Sequence, residues 1–319
     1  MNDLANKIND EFYQHTIRER ITIAGRGLHS GLRVIMSIMP AEPNTGYIFV
    51  RRDVEPDKSE VQARWYNVTD TRMSTTISNN RGTRVRTIEH LLAALHSCGI
   101  DNAHIVLDAP ELPIMDGSAE PYCSLIRKVG RTRQSEQRRA IVITKPVRVK
   151  EFGKTAELIP SNIKRINMKI NFDNPVIGVQ SRSLDINEEI FCNDIAPART
   201  FGFEEQLDTL KKIGLAKGGS LKNAILLKGD RVVNEEGLRF ADEFVRHKIL
   251  DCIGDLSLAG AHIIGEFIGN SSGHQLNNAL ISELMMNNHC WEYTTLKDAI
   301  TNWSRILLGQ PGYELNVMP

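Results

Sequence analysis

The sequence predicts an α+β fold made of two similar halves, and three observations carry that prediction. Short β-rich segments come in blocks ahead of helices, where a doubly wound sheet would alternate them one by one. A helical motif recurs: "VRTIEHLLAALHSCG" (85–99) and "VRHKILDCIGDLSLAG" (245–260) both open with Val-Arg, place a histidine in the first turn and end at glycine. Between them lies "RTRQSEQRR", residues 131–139, without one aliphatic side chain, which reads as a linker. The expected division is an N-terminal domain at 13–130, a linker at 131–139 and a C-terminal domain at 140–319.

In chain order, "RITIAG", "LRVIMSIMP", "GYIFVRR" and "STTISN" are strands bounded by Gly, Pro and Asn turns. A helix follows at 87–98, with Thr87 as N-cap and Gly99 as its stop. "NAHIVLDAP" is a strand and "SAEPYCSLIRKVG" a helix. After the linker come strands at 140–150, 154–159 and 166–173, a mixed segment, a helix at 240–257 and a strand at "AHIIGEFI".

Composition bounds the function. With 41% hydrophobic and 24% charged residues in 319, the chain supports a real core. Lys plus Arg equals Asp plus Glu at 39 each, so charge offers no case for nucleic acid or an acidic membrane surface. The first twenty residues lack the apolar stretch of a signal peptide, and no run reaches membrane-spanning length. The five cysteines (98, 123, 192, 252, 290) form no CxxC pair, which suits reduced thiols in a cytoplasm.

The chemistry concentrates on "LRFADEFVRHKILDCIGDLSLAG", 238–260. Phe240, Phe244, Ile249, Ile253, Leu256 and Leu258 follow the spacing of a core-facing helix, yet His247, Lys248, Asp251 and Asp255 lie on or beside that face. Buried charge is costly unless paired or metal-bound. His247 and Asp251 are four apart and share a face, so they are able to grip one ion. "TIEHLLAAL" offers the third ligand, His90, with Glu89 beside it at the start of an otherwise aliphatic helix. Three ligands leave a fourth position for water, the layout of a hydrolytic zinc site, with Glu89 as general base. His274, on a turn before a helical segment, reads as a general acid oriented and kept cationic by Asp255. His29 in "GRGLHSG" lacks the following helix that a phosphate loop needs. Asp116 reads as a turn-fixing residue.

Six stretches in order resemble one family: "GRGLHSG", "TIEHLLAALHSCGIDNAHIVLDAPELPIMDGSAEPY", "ARTFGF", "LKKIGLAKGGSLKNAIL", "NEEGLRFADEFVRHKILDCIGDLSLAG" and "GHQLNNAL". They are similar to the zinc-dependent UDP-3-O-acyl-N-acetylglucosamine deacetylases of Gram-negative lipid A synthesis, from about residue 17 to about 295. The resemblance implies two domains, each a β-sheet layered on two helices, facing each other across a metal cleft. It also implies an insert in each half, near 55–80 and 200–222. It implies His90, His247 and Asp251 as ligands to Zn2+ (or Fe2+ in the cell), Glu89 as base, and His274 as acid beside Asp255. Thr200 would stabilise the oxyanion and Lys248 would contact substrate. Lys154 would meet the nucleotide diphosphate, and Leu28, Phe201, Phe203, Gly218 and Gly219 would line the acyl passage. Ser74 stands where some members have cysteine. The substrate would be UDP-3-O-acyl-N-acetylglucosamine, and the expected protein is a cytoplasmic monomer without nucleic-acid partner or stable membrane insertion. The alternatives are a binding protein with a structural metal, or a zinc amidase for another acetamido substrate.

Overall fold

Strands form where the sequence alternates. In "ITIAGR", Ile21 and Ile23 are buried while Thr22 and Ala24 are exposed; in "RINMKIN", Ile166, Met168 and Ile170 point inward and Lys169 outward. The computed structural model describes residues 10–308, so the first nine residues and the last part of the expected C-terminal domain lie outside the described residues.

Two five-stranded sheets dominate. The first runs Ile21–Arg26, Arg33–Pro40, Ala103–Leu107, Tyr47–Arg51, Glu60–Gln62; the second runs Val147–Glu151, Lys154–Ile159, Glu266–Asn270, Arg165–Asn171, Val179–Asp185. Their pairings match one for one: antiparallel, antiparallel, parallel, antiparallel. In each, the central strand follows one helix and precedes another. These are Glu89–Ser97 and Glu120–Val129 in the first half, Glu243–Leu256 and His274–Met286 in the second. The recurrent helical motif therefore marks a structural repeat. Leu91, Leu92 and Leu95 of one central helix and Phe244, Ile249 and Ile253 of the other join the sheet side chains Met36, Phe49 and Phe267 in one continuous core.

Each half carries an insert before its central helix. One is the three-stranded sheet Val68–Asp70, Thr76–Ser78, Arg84–Arg86; the other joins Phe201–Phe203, Ile225–Lys228 and Arg231–Val232 with the helix Glu204–Lys212. Both extend past the ranges expected from sequence, to Arg86 and Val232.

Several local expectations are corrected. Thr87 does not cap the first central helix: its φ is +60°, and its hydroxyl donates to the buried Glu111 carboxylate at 3.0 Å, so the helix begins at Glu89. The strand expected at 140–150 is two, Arg139–Ile143 and Val147–Glu151, because Pro146 has no amide hydrogen to continue a ladder. "AHIIGEFI" likewise splits into His262–Ile264 and Glu266–Asn270, which belong to different sheets. Phe240 precedes the helix Glu243–Leu256 and lies half-buried under the Arg246 guanidinium, 4.0 Å from its ring centre. Residues 131–137 cross between the halves as a strand paired antiparallel with Tyr13–Ile17. Among the described residues, no helix is long and apolar enough to cross a membrane.

Candidate active site

The site is built where the two central helices cross. Gly254 permits the contact: a Cβ there would lie 2.1 Å from the Glu89 carbonyl oxygen. The first turn of the short helix, Glu89 and His90, is thereby pressed against the long helix that carries His247, Lys248, Asp251 and Asp255.

His90, His247 and Asp251 converge, all three buried, with their ligand atoms within 4.8 Å of one another. Asp251 Oδ1 lies 3.6 Å from His90 Nε2 and 3.4 Å from His247 Nε2, too far for good hydrogen bonds, and it has no hydrogen-bond partner among the described residues. Ligand atoms about 2.0–2.1 Å from a tetrahedral ion stand about 3.3–3.4 Å apart, so the spacing fits a metal better than a hydrogen-bonded cluster. The ring orientation fits too. His247 Nδ1 is engaged by the Ala198 carbonyl at 3.0 Å, which leaves Nε2 facing Asp251. Burial pushes His247 down to about 3, so its ring is neutral and free to ligate. Burial works against charge on Asp251 as well, but the cationic Lys248 and His274 outweigh it and hold the carboxyl well below its ordinary range. Lys248 Nζ donates to Asp251 Oδ2 at 2.7 Å.

Glu89 and His274 flank this cluster. Glu89 is buried, which raises its pKa against the opposing pull of His274 and His90, and its Oε2 accepts from the Thr75 amide at 3.0 Å. His274 opens the helix His274–Met286, and its Nδ1 lies 3.0 Å from Asp255 Oδ2. Burial alone would lower this ring; the Asp255 and Asp251 carboxylates override it and raise it to about 9. Asp255 is fully buried and held on both oxygens, by the Thr75 hydroxyl at 2.5 Å and by Asn277 Nδ2 at 2.9 Å. One side of the cluster thus presents a carboxylate and the other an imidazole, a base and an acid facing one space.

That space is a cleft of about 250 Å3 lined by Glu89, His90, His247, Lys248, Asp251 and His274, and also by Thr200, Phe201, Phe203 and Leu28. Thr200 is fixed by its backbone, donating to the Gly117 carbonyl and accepting from the Ile225 amide, both at 2.8 Å. Phe201 packs edge-on to Phe244 and Phe172, which makes an aromatic wall. Lys154 is exposed and does not line the cleft; it pairs in register with Glu151, whose carboxylate accepts from Gln275, the residue after His274. Gly218 and Gly219 also lie outside the lining. The body that approaches Gly218 is the chain itself: a Cβ there would meet the Gly27 carbonyl oxygen at 2.1 Å, whereas one at Gly219 would press less closely, 3.3 Å from the Ala216 carbonyl oxygen. The His29 turn has no free anion cradle, since the Glu111 carboxylate accepts from the amides of His29 (2.8 Å) and Ser30 (2.6 Å). Asp116 does fix its turn, accepting from the Ser118 amide at 3.0 Å.

Sequence reasoning missed Thr75, Asn277, Phe172 and the Ala198 carbonyl. Asn277 had a signal, three residues after His274 on the same helix face. Thr75 had none, because a residue just ahead of the strand Thr76–Ser78 that bonds Glu89 and Asp255 follows no sequence spacing.

Residues 14–286 match the family of UDP-3-O-acyl N-acetylglycosamine deacetylases. A protein of Geotalea uraniireducens called UDP-3-O-acyl-N-acetylglucosamine deacetylase is 46% identical over 284 residues, covering 89% of this chain and 92% of its own length. Proteins of the same name from Syntrophotalea carbinolica and Haemophilus influenzae are 43% and 45% identical, over 93% and 89% of this chain and 96% and 94% of theirs.

Proposed function

The chain belongs to the UDP-3-O-acyl-N-acetylglucosamine deacetylase family, and from that premise we propose a role for each residue of the cleft. The enzyme removes the N-acetyl group of UDP-3-O-acyl-N-acetylglucosamine in lipid A synthesis, releasing acetate. His90, His247 and Asp251 hold a catalytic divalent cation, zinc or, in the cell, ferrous iron. The observation that carries this assignment is the buried Asp251 Oδ1, without a hydrogen-bond partner, between two imidazole nitrogens at 3.4 and 3.6 Å.

When bound, the cation supplies Lewis-acid polarisation and makes water a stronger nucleophile near neutral pH. Glu89 takes the proton of the attacking water. The Thr200 hydroxyl donates to the oxygen that gains charge as the acetamide carbonyl becomes tetrahedral. His274, kept cationic by Asp255, gives its proton to the nitrogen as the C–N bond breaks, so a free amine and acetate leave. Lys248 neutralises Asp251 and contacts the substrate. Leu28, Phe201 and Phe203 receive the acyl chain, with Phe172 extending their wall, and Lys154 meets the diphosphate from the cleft's rim. Gly218 and Gly219 shape the loop behind that wall.

The reading carries a domain division at 13–130 and 140–319, joined through 131–139 and supported by the matching strand order of the two sheets. It also carries a monomeric protein and a cytoplasmic location, the latter supported by the unpaired cysteines. The test is quantitation of acetate and free amine from the UDP-linked substrate, with metal content measured in parallel. Activity should track one equivalent of bound metal and vanish on chelation. Full deacetylation by metal-free protein would overturn the assignment.

A further inference from the structure

Away from the cleft, three cysteines from three elements meet. Cys98 ends the first central helix, Cys123 lies on the helix Glu120–Val129, and Cys192 sits on the π-type turn Phe191–Ile195 of the second half. All three are buried, at 2%, 3% and 8% exposure, and their sulfurs lie within 4.8 Å of one another. Cys98 and Cys192 are 3.9 Å apart, sulfur to sulfur, and neither is in a disulfide. The proposed reaction uses none of them.

We propose that Cys98, Cys123 and Cys192 form a second metal site, which binds a soft, thiophilic cation through three thiolates and ties the two halves together. At metal–sulfur distances of about 2.3 Å, thiolates stand about 3.8 Å apart in a tetrahedral site and about 4.0 Å in a trigonal one. The Cys98–Cys192 separation already has that value, and the third sulfur needs to move by less than its own radius. Soft sulfur ligands select soft cations over the calcium and magnesium class.

The surroundings suit the charge. Each thiol gives its proton to solvent as a sulfur–metal bond forms, so three thiolates around a divalent cation leave one net negative charge. Two guanidiniums answer it: Arg127, one turn beyond Cys123 on the same helix, and Arg131, which donates to the Cys98 carbonyl at 3.0 Å. The site would close a long chain loop between the halves and stabilise the folded state by binding it alone.

The test uses the full chain with its catalytic metal loaded, kept reduced by a non-chelating phosphine and titrated with Cd2+. The expected result is an ultraviolet thiolate-to-cadmium charge-transfer band that saturates at one equivalent, with a rise in melting temperature. A cadmium ion on histidine and carboxylate gives no such band, so the cleft is silent. Cys192→Ser and Cys123→Ala should each lose most of the band and the rise in melting temperature, while Cys290→Ser keeps both. Cys192→Ser should keep its deacetylase activity. No band in the parent protein, or an equal band in Cys192→Ser, would overturn the proposal. If Cys123→Ala fails to fold, Cys192→Ser, at the edge of the cluster, decides the matter by the same readout.

Discussion

The two central helices occupy equivalent places in the two halves, yet they carry their charge differently. The short one, Glu89–Ser97, has Glu89 and His90 in its first turn and then the buried run Leu91–Leu95. The long one, Glu243–Leu256, carries buried polar groups along its whole length, and nearly all have partners. Glu243 takes the Arg199 guanidinium at 2.9 Å, Arg246 pairs with Asp242 at 2.6 Å, Lys248 with Asp251 at 2.7 Å and Asp255 with His274 at 3.0 Å. Among the described residues, what stays unsatisfied where both rings converge is Asp251 Oδ1, between His90 Nε2 and His247 Nε2. The comparison teaches where to look: a buried stripe of charge is ordinary when every member is paired, and the one missing partner marks where the proposed ion would sit.

The largest expected effect comes from removing a ligand on either helix. His90→Ala and His247→Ala should both lose most bound metal and nearly all turnover, because each takes away one of the three proposed ligands. Metal analysis of the purified variants checks this, and full occupancy in one of them would break the symmetry claimed between the helices. Next is Glu89→Gln, which should keep its metal while turnover falls about 10²–10⁴-fold, the usual contribution of a general base. A metal-free Glu89→Gln protein would make Glu89 a ligand.

Gly254→Ala probes the crossing itself. With the Glu89 carbonyl at 2.1 Å from the new Cβ, the helices must separate, at a cost of about 1–3 kcal/mol. Thermal unfolding should register that loss, with reduced turnover because Glu89 moves. Gly273→Ala, where nothing lies within 4 Å, is the matched control and should change little. The smallest effect is a displacement of the pH profile. The proposed acid His274 is raised to about 9 and would act protonated, so the basic limb of kcat/KM should fall above that pH. Asp255→Asn removes the main carboxylate that raises the ring, and the basic limb should move down by about one pH unit or more. An unmoved limb would detach Asp255 from the acid.

Much of the site was legible because its signals are local. His247, Asp251 and Asp255 recur every four residues, one turn apart, so a shared face follows from helical geometry alone. The alternation of Ile21 and Ile23 with polar neighbours likewise announced a half-buried strand. Thr87 misled because a good capping residue was drawn instead to Glu111, a partner distant in sequence. Gly218 misled for the same reason: glycine announces a close approach without saying what approaches, and here it is the Gly27 backbone.

By itself, then, the sequence determined the main helices and most strands, though not the strand at 131–137, together with the repeat of the helical motif and the polar stripe on the long helix, since each depends on neighbours within a few residues. Only the tertiary structure decided that Glu89 and His90 meet that stripe, that Thr75 spans Glu89 and Asp255, and that Cys98, Cys123 and Cys192 come together. Those contacts join residues far apart along the chain. They arise when two amphipathic helices bury their faces against each other, and the register of that packing is set by side-chain shape at Gly254 and its neighbours, which no short-range pattern encodes.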